Sequence, residues 1–87
     1  MRILLDGQQM QSRGAAHDHL QRQLSLPDYY GRNLDALFDL LAERGGETEL
    51  VLTHGEALAE LGPYGEKLLT TLREAAAENP GLQFEME

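Results

Sequence analysis

Three short apolar runs along the chain predict β-strands. Residues 2–5 and 50–52 contain the uninterrupted runs Ile-Leu-Leu and Leu-Val-Leu, which are typical of strands buried on both faces in a parallel sheet. In the third run, residues 82–86, apolar residues alternate with Gln83 and Glu85. We therefore expect this last strand to be half exposed and to lie at an edge of the sheet.

Between the strands, apolar residues recur every three or four positions, and this period predicts helices. Ser12 and Asn33 are placed to cap the first two helices, because their side chains can accept hydrogen bonds from the first turn. The second helix has its apolar face on Leu34, Leu37, Phe38 and Leu41. The predicted helices cover residues 13–25, 34–44, 56–61 and 65–78.

The order of these elements is strand, two helices, strand, two helices, strand. Parallel neighbours need a crossover of about a dozen residues or more, which is usually helical. The order therefore predicts an α/β fold, a small three-stranded parallel sheet packed with about four helices. With 87 residues and no cysteine, the chain is long enough for one domain, residues 1–87, held together without disulfides.

Charge narrows the choice of partner. Fifteen acidic side chains against seven Lys and Arg give a net charge of -8. Nucleic acids bind cationic surfaces, so we expect no direct nucleic-acid partner and attraction to a basic protein instead. The apolar run at the N-terminus is too short for a secretory signal, and no stretch is long enough for a membrane helix. We therefore expect a cytoplasmic protein with no membrane contact.

Catalytic signatures are missing, which favours a protein that is not an enzyme. The chain has no phosphate-binding glycine loop, no nucleophile elbow and no zinc-protease helix motif. Two histidines flank Asp18 at positions 17 and 19, but positions two apart on a helix point in different directions, so we interpret them as part of a solvated face. His54 follows the second strand and is interpreted as an ordinary loop histidine, and no cofactor is expected.

An acidic stripe is the most informative pattern. Asp35, Asp39 and Glu43 are spaced four residues apart on the second helix, where like charges destabilise one another by a few tenths of a kcal/mol per pair. Tyr29 and Tyr30 lie just before this helix, and aromatic rings beside charges are typical of protein interfaces.

Two other interpretations of this stripe remain open. The first is a merely soluble face that Arg32 and Arg44 partly neutralise. The second is a metal-dependent enzyme that uses the three carboxylates as oxygen ligands for Mg²⁺ or Ca²⁺. A stripe along one exposed helix wraps an ion poorly, and no base or nucleophile is evident beside it, so the sequence favours a binding surface.

Residues 26–39 carry a family resemblance. Their sequence, Leu-Pro-Asp-Tyr-Tyr-Gly-Arg-Asn-Leu-Asp-Ala-Leu-Phe-Asp, resembles the signature segment of the barstar family, intracellular inhibitors of the secreted ribonuclease barnase. The resemblance extends over essentially the whole chain. It implies a small parallel sheet packed with helices, a monomer, and a stoichiometric inhibitor that blocks the active site of a basic ribonuclease or another nuclease toxin.

The resemblance also implies which residues touch the partner. Asp39 would hold the central salt bridges, Tyr29 would pack against the catalytic histidine of the nuclease, and Asp35 would take a further basic contact. Two residues would line the contact surface, and one on the long helix would add a peripheral ionic contact. These three are Gly31, Asn33 and Glu74.

One departure from the family pattern bears on specificity. Arg44 stands where the family has an aromatic contact residue, and a positive charge is unfavourable opposite a basic enzyme. The alternative function is therefore a module of the same fold that binds a non-ribonuclease basic partner or another nuclease toxin.

Overall fold

The computed structural model describes all residues, 1–87, and contains three parallel strands and three α-helices. The strands are β1 (Arg2–Asp6), β2 (Thr48–Thr53) and β3 (Leu82–Met86). The α-helices are α1 (Arg13–Leu24), α2 (Leu34–Ala42) and α3 (Pro63–Glu78). Two 3₁₀ helices, Gly7–Gln9 and Gly55–Leu61, follow β1 and β2. None of the helices is long and apolar enough to cross a membrane.

The sheet is fully parallel, in the order β1-β2-β3, which confirms the predicted α/β class. The three apolar residues of the central strand, Leu50, Val51 and Leu52, are completely buried. Leu50 and Leu52 belong to the main core, in which they meet the buried faces of the helices. The predicted position of β3 at an edge, with Gln83 and Glu85 exposed, is confirmed.

The prediction that β1 is buried on both faces was wrong. Ile3 and Leu5 belong to the core, but Leu4 is 51% exposed. Leu4 pairs with Val51, which pairs in turn with Glu85, and Leu4 and Glu85 both face solvent. Val51, on the central strand, is completely buried on this same face, whereas Leu4 lies on an edge strand with a neighbouring strand on one side only, so the apolar run of β1 is only half buried.

Several helix boundaries differ from those predicted. Helix α1 ends at Leu24, because Ser25 takes the left-handed conformation with φ 54°. Helix α3 begins at Pro63, two residues before the predicted start, since proline at the first helical position loses no hydrogen bond. The short helix near residue 56 is of the 3₁₀ type and covers Gly55–Leu61.

Helix α2 ends at Ala42, two residues before the predicted end. The buried Asn79 explains this, because its side-chain amide donates to the backbone carbonyls of Leu41 and Arg44, both at 2.9 Å. The Asn79 carboxamide oxygen also accepts from the Gly81 N–H at 2.9 Å. One side chain therefore ties the end of α2 to the turn between α3 and β3, which fixes the orientation of α2.

Candidate partner-binding face

The loop between α1 and α2 presents two adjacent tyrosines in opposite directions. Tyr29 is 81% exposed, whereas Tyr30 is only 4% exposed and belongs to the core. The loop closes in a turn in which the Tyr30 N–H donates to the Pro27 carbonyl at 2.9 Å. Burial of Tyr30 thus fixes the loop, and its neighbour is left free on the surface.

A buried histidine holds Tyr30 in place. The Nδ1 atom of His17 lies 2.5 Å from the Tyr30 hydroxyl, and its Nε2 atom lies 2.7 Å from the hydroxyl of Tyr64. Burial, followed by the positive charges of Arg32 and Arg13, lowers the pKa of His17. The imidazole is therefore neutral at neutral pH, so that one ring nitrogen donates and the other accepts.

Burial also changes the pKa of the Tyr30 phenol, which is raised well above its ordinary value, with Tyr64 adding to the shift. The phenol thus stays protonated at any physiological pH and can always take part in the hydrogen bond to His17. Together, these residues join α1, the loop and α3, and so connect three elements around the tyrosine loop.

Asn33 both begins α2 and shapes the loop. Its side-chain oxygen accepts from the Ala36 N–H at 2.8 Å, and its amide nitrogen donates to the Gly31 carbonyl at 3.2 Å. A Cβ atom at Gly31 would come within 3.0 Å of that amide nitrogen, so a larger residue would crowd the cap. Both residues are exposed, as is Tyr29 two positions before Gly31.

Helix α2 presents Asp35 and Asp39 to solvent, and Glu43, the residue that caps its C-terminus, is exposed as well. We call these three side chains the acidic face. None of them forms an ion pair within the chain, because the three ion pairs in the structure involve other residues. The face is nevertheless fixed in space, since Leu37 and Leu41 on the opposite side of the helix are completely buried.

The two arginines expected to neutralise the acidic face contact other groups instead. Arg32 pairs with Asp18 at 2.7 Å and donates to the Gly14 carbonyl at 3.2 Å. Arg44 donates to the Leu24 carbonyl at 2.9 Å and to the Thr48 hydroxyl at 3.3 Å. The positive charge of Arg44 therefore joins α1 to β2 and does not stand free on the contact surface.

Glu74 comes from a separate element, α3, and is exposed. Lys67 of α3 lines the same two clefts as Asp35 of α2. Glu74 follows Lys67 by two helical turns and so lies on the same side of α3. Five of the six predicted contact residues thus belong to one continuous segment, residues 29–39. The sixth, Glu74, lies on the side of α3 that borders α2.

The interpretation of His17 and His19 as part of a solvated face was wrong. His17 and His19 are 3% and 5% exposed, and the His19 Nε2 atom accepts from the Asp6 N–H at 2.9 Å. His54 lies between β2 and the 3₁₀ helix that follows it, as expected of a loop histidine, and its Nδ1 atom lies 3.0 Å from a carboxylate oxygen of Asp6. The pKa of Asp6 lies below its ordinary range, mainly because its carboxylate accepts a hydrogen bond from the Gln8 N–H and to a smaller extent because of His54.

The burial of His17 had a signal in the sequence, which the interpretation as a solvated face overlooked. His17, Leu20 and Leu24 are spaced as i, i+3 and i+7 and so share the buried stripe of α1. Tyr64, by contrast, lies 47 residues from His17 in sequence, and no local pattern joins the two.

Nowhere in the chain do three His, Asp or Glu side chains come close enough to hold a metal ion.

A small parallel α/β domain with an acidic helical face beside an exposed tyrosine is the architecture that the fold and the site define. The chain matches the family described as Barstar (barnase inhibitor) over residues 1–87. It is 39% identical over 82 residues to the Bacillus subtilis (strain 168) protein named "Putative ribonuclease inhibitor YrdF", with 88% of this chain and 87% of that protein covered. The chain therefore belongs to the barstar family.

Proposed function

We propose that this protein inhibits a basic ribonuclease of the barnase type by binding across its active site in an equimolar complex. It would act as a monomer in the cytoplasm and without a cofactor. One observation carries the proposal, namely that α2 presents Asp35 and Asp39 to solvent with no ion pair inside the chain. Family membership and the inhibitor name of the Bacillus subtilis relative support it.

Carboxylates on a rigid helix are suited to block a site that normally holds phosphate. A carboxylate accepts paired hydrogen bonds from arginine much as a phosphate does. The side chains of Asp35 and Asp39 are one helical turn apart, and the buried Leu37 and Leu41 anchor the helix to the core. Little conformational freedom is then lost on binding, which favours a tight complex.

Tyr29 and Glu74 would extend the contact on either side of the acidic helix. The Tyr29 ring is almost fully exposed, although exposure of so large an aromatic surface is unfavourable in the free protein. Packing against an imidazole ring of the nuclease would bury this ring. Glu74, on α3, would add an ionic contact at the rim, where solvent screening makes single pairs weak.

The proposal is tested by titrating a barnase-type ribonuclease with the purified protein while RNA cleavage is measured. We expect inhibition to be complete at an equimolar ratio. Asp39→Ala should weaken binding by about 2 kcal/mol or more, roughly thirtyfold, because a central charge contact is lost. The barnase–barstar complex is itself one of the examples on which this general magnitude rests.

Glu43→Ala is the matched control, because it removes a carboxylate from the same exposed stripe one turn further on. We expect it to change the dissociation constant by a few fold at most. Equal losses for the two variants would show that the assignment of Asp39 as the central residue is wrong. If the folded wild-type protein leaves the ribonuclease active, barnase-type enzymes are not its target.

A further inference from the structure

A second charged feature, of opposite sign, adjoins the acidic face. An open cleft between the first turns of α1, α2 and α3 is lined by Arg13, Arg32 and Lys67, three of the seven basic residues of the chain. Asp35 is the carboxylate that shares this cleft. In a protein with a net charge of -8, a cluster of three positive side chains beside the predicted contact surface is unexpected, and a role in binding would explain it.

Two of the three cations have no charged partner within the chain. Arg32 is paired with Asp18 at 2.7 Å, but neither Arg13 nor Lys67 takes part in an ion pair. The Arg13 guanidinium lies over the Tyr64 ring, 4.1 Å from its centre. Because the Tyr64 hydroxyl is held by the buried His17, Arg13 is positioned by a rigid stack and keeps its charge available.

These charges are unfavourable for the proposed function unless the partner compensates them. A basic nuclease that approaches the acidic face would be repelled by Arg13 and Lys67, and like charges facing each other across an interface cost binding energy. Arg44 does not share this problem, since its guanidinium is bonded inside the fold. A carboxylate on the partner, opposite the cleft, would turn this repulsion into attraction.

We propose, on the basis of the function proposed above, that Arg13 and Lys67 bind a carboxylate side chain of the partner ribonuclease and so select which nuclease is inhibited. The cleft suits an anion for a further reason. The residues at the start of α2, Asn33 and Leu34, also line it, and the N-terminus of a helix carries partial positive charge. Asp35 would meet a cation of the nuclease next to that carboxylate, so that the alternating charges fix the register of the complex.

The test compares dissociation constants for the barnase-type ribonuclease with Lys67→Gln, Arg13→Gln and the control Arg73→Gln. Arg73 lies on the same helix as Lys67 but contacts Met86 of β3, at 3.3 Å from its sulfur. If the cleft binds a carboxylate, Lys67→Gln and Arg13→Gln should each raise the dissociation constant by about threefold to fivefold. Arg73→Gln should leave it unchanged or lower it slightly, because removing a cation favours a basic partner.

The expected sign makes the experiment decisive. Simple net-charge effects predict tighter binding for all three variants, so tighter or unchanged binding of Lys67→Gln and Arg13→Gln would overturn the inference. The proposed function would survive that result if the wild-type protein inhibited the nuclease and Asp39→Ala weakened binding by about thirtyfold or more. If the folded wild-type protein does not inhibit at all, the proposed function fails and this inference fails with it.

A double-mutant cycle locates the carboxylate on the partner. Each Asp or Glu at the edge of the nuclease active site is changed to its amide and tested against wild-type protein and Lys67→Gln. One of these nuclease variants should show coupling with Lys67→Gln of about threefold or more. Additive effects for every carboxylate would contradict a direct contact, whatever the single variants show.

Discussion

At the scale of single residues, the proposed contact surface depends on His17, a buried residue that is not part of that surface. Tyr29 is free to meet a partner because Tyr30 is fixed beneath it by His17, which is itself held on its other side by Tyr64. This arrangement requires a neutral imidazole in the folded protein. Stability should therefore depend on the ionisation of His17.

We predict that the free energy of unfolding falls as the pH is lowered below about 6.5. Burial, with the charges of Arg32 and Arg13, lowers the pKa of His17 in the folded state below its ordinary value of 6.5. The unfolded chain therefore binds the proton first, so stability is full above that value and is lost as the pH falls toward the lower pKa of the folded state. The loss is at most about 1.4 kcal/mol per pH unit. His19, whose pKa burial also lowers, acts in the same direction.

Urea denaturation at about pH 7.5 and pH 5.5 checks this prediction. His17→Gln should reduce the stability difference between the two pH values, even if it destabilises the protein at both. Ser12→Ala is the matched control, because Ser12 caps the same helix through the Ala15 N–H at 3.1 Å and does not titrate. An unchanged pH difference in His17→Gln would contradict the prediction.

At the scale of elements, α2 is a rigid support for the acidic face because both of its ends are closed by asparagine side chains. Asn33 caps the first turn, and Asn79 binds the last carbonyls from the turn that follows α3. The first contact is local in sequence, and its position is visible as an asparagine before an apolar period. The second comes from 38 residues away and cannot be found by reading the helix alone.

We predict that Asn33→Ala lowers the free energy of unfolding by about 1 kcal/mol, the usual loss when a helix cap is deleted. Asn33→Ser keeps a side-chain oxygen for the Ala36 N–H and should recover most of this loss. Chemical denaturation of the two variants measures the difference directly. Equal stability of the alanine variant and the wild type would show that α2 does not depend on this cap.

At the scale of the whole molecule, the net charge of -8 acts before any contact is made. Long-range attraction raises the rate at which a basic partner is encountered, and salt screens it over about 10 Å at 0.1 M. Close contacts inside the formed complex are screened much less. The two kinetic steps should therefore respond differently to salt.

We predict that the association rate constant with a barnase-type ribonuclease falls by about tenfold or more when salt is raised from about 50 mM to 500 mM. The dissociation rate constant should change by a smaller factor, because it reports on short-range contacts. Stopped-flow mixing at several salt concentrations separates the two. An association rate that is independent of salt would contradict electrostatic steering.

The sequence by itself determined the local features of this protein. Apolar runs predicted the positions of all three strands, and apolar periods predicted helices in both crossovers. Strand β3 was predicted with its observed bounds, and Ser12 and Asn33 were identified as helix caps. The motif in residues 26–39 indicated the family, and the spacing of Asp35 and Asp39 indicated an acidic face. These features depend on neighbours within about one or two helical turns, so the chain order alone contains them.

Only the tertiary structure decided what depends on distant partners. It left Leu4 exposed at the edge of the sheet, and it turned Arg44 away from the contact surface into the fold. It buried His17 between two tyrosines, and it brought Arg13 and Lys67 to one cleft beside Asp35. Burial and electrostatic environment are properties of the packed molecule, because they depend on residues far apart in the chain that meet only after folding.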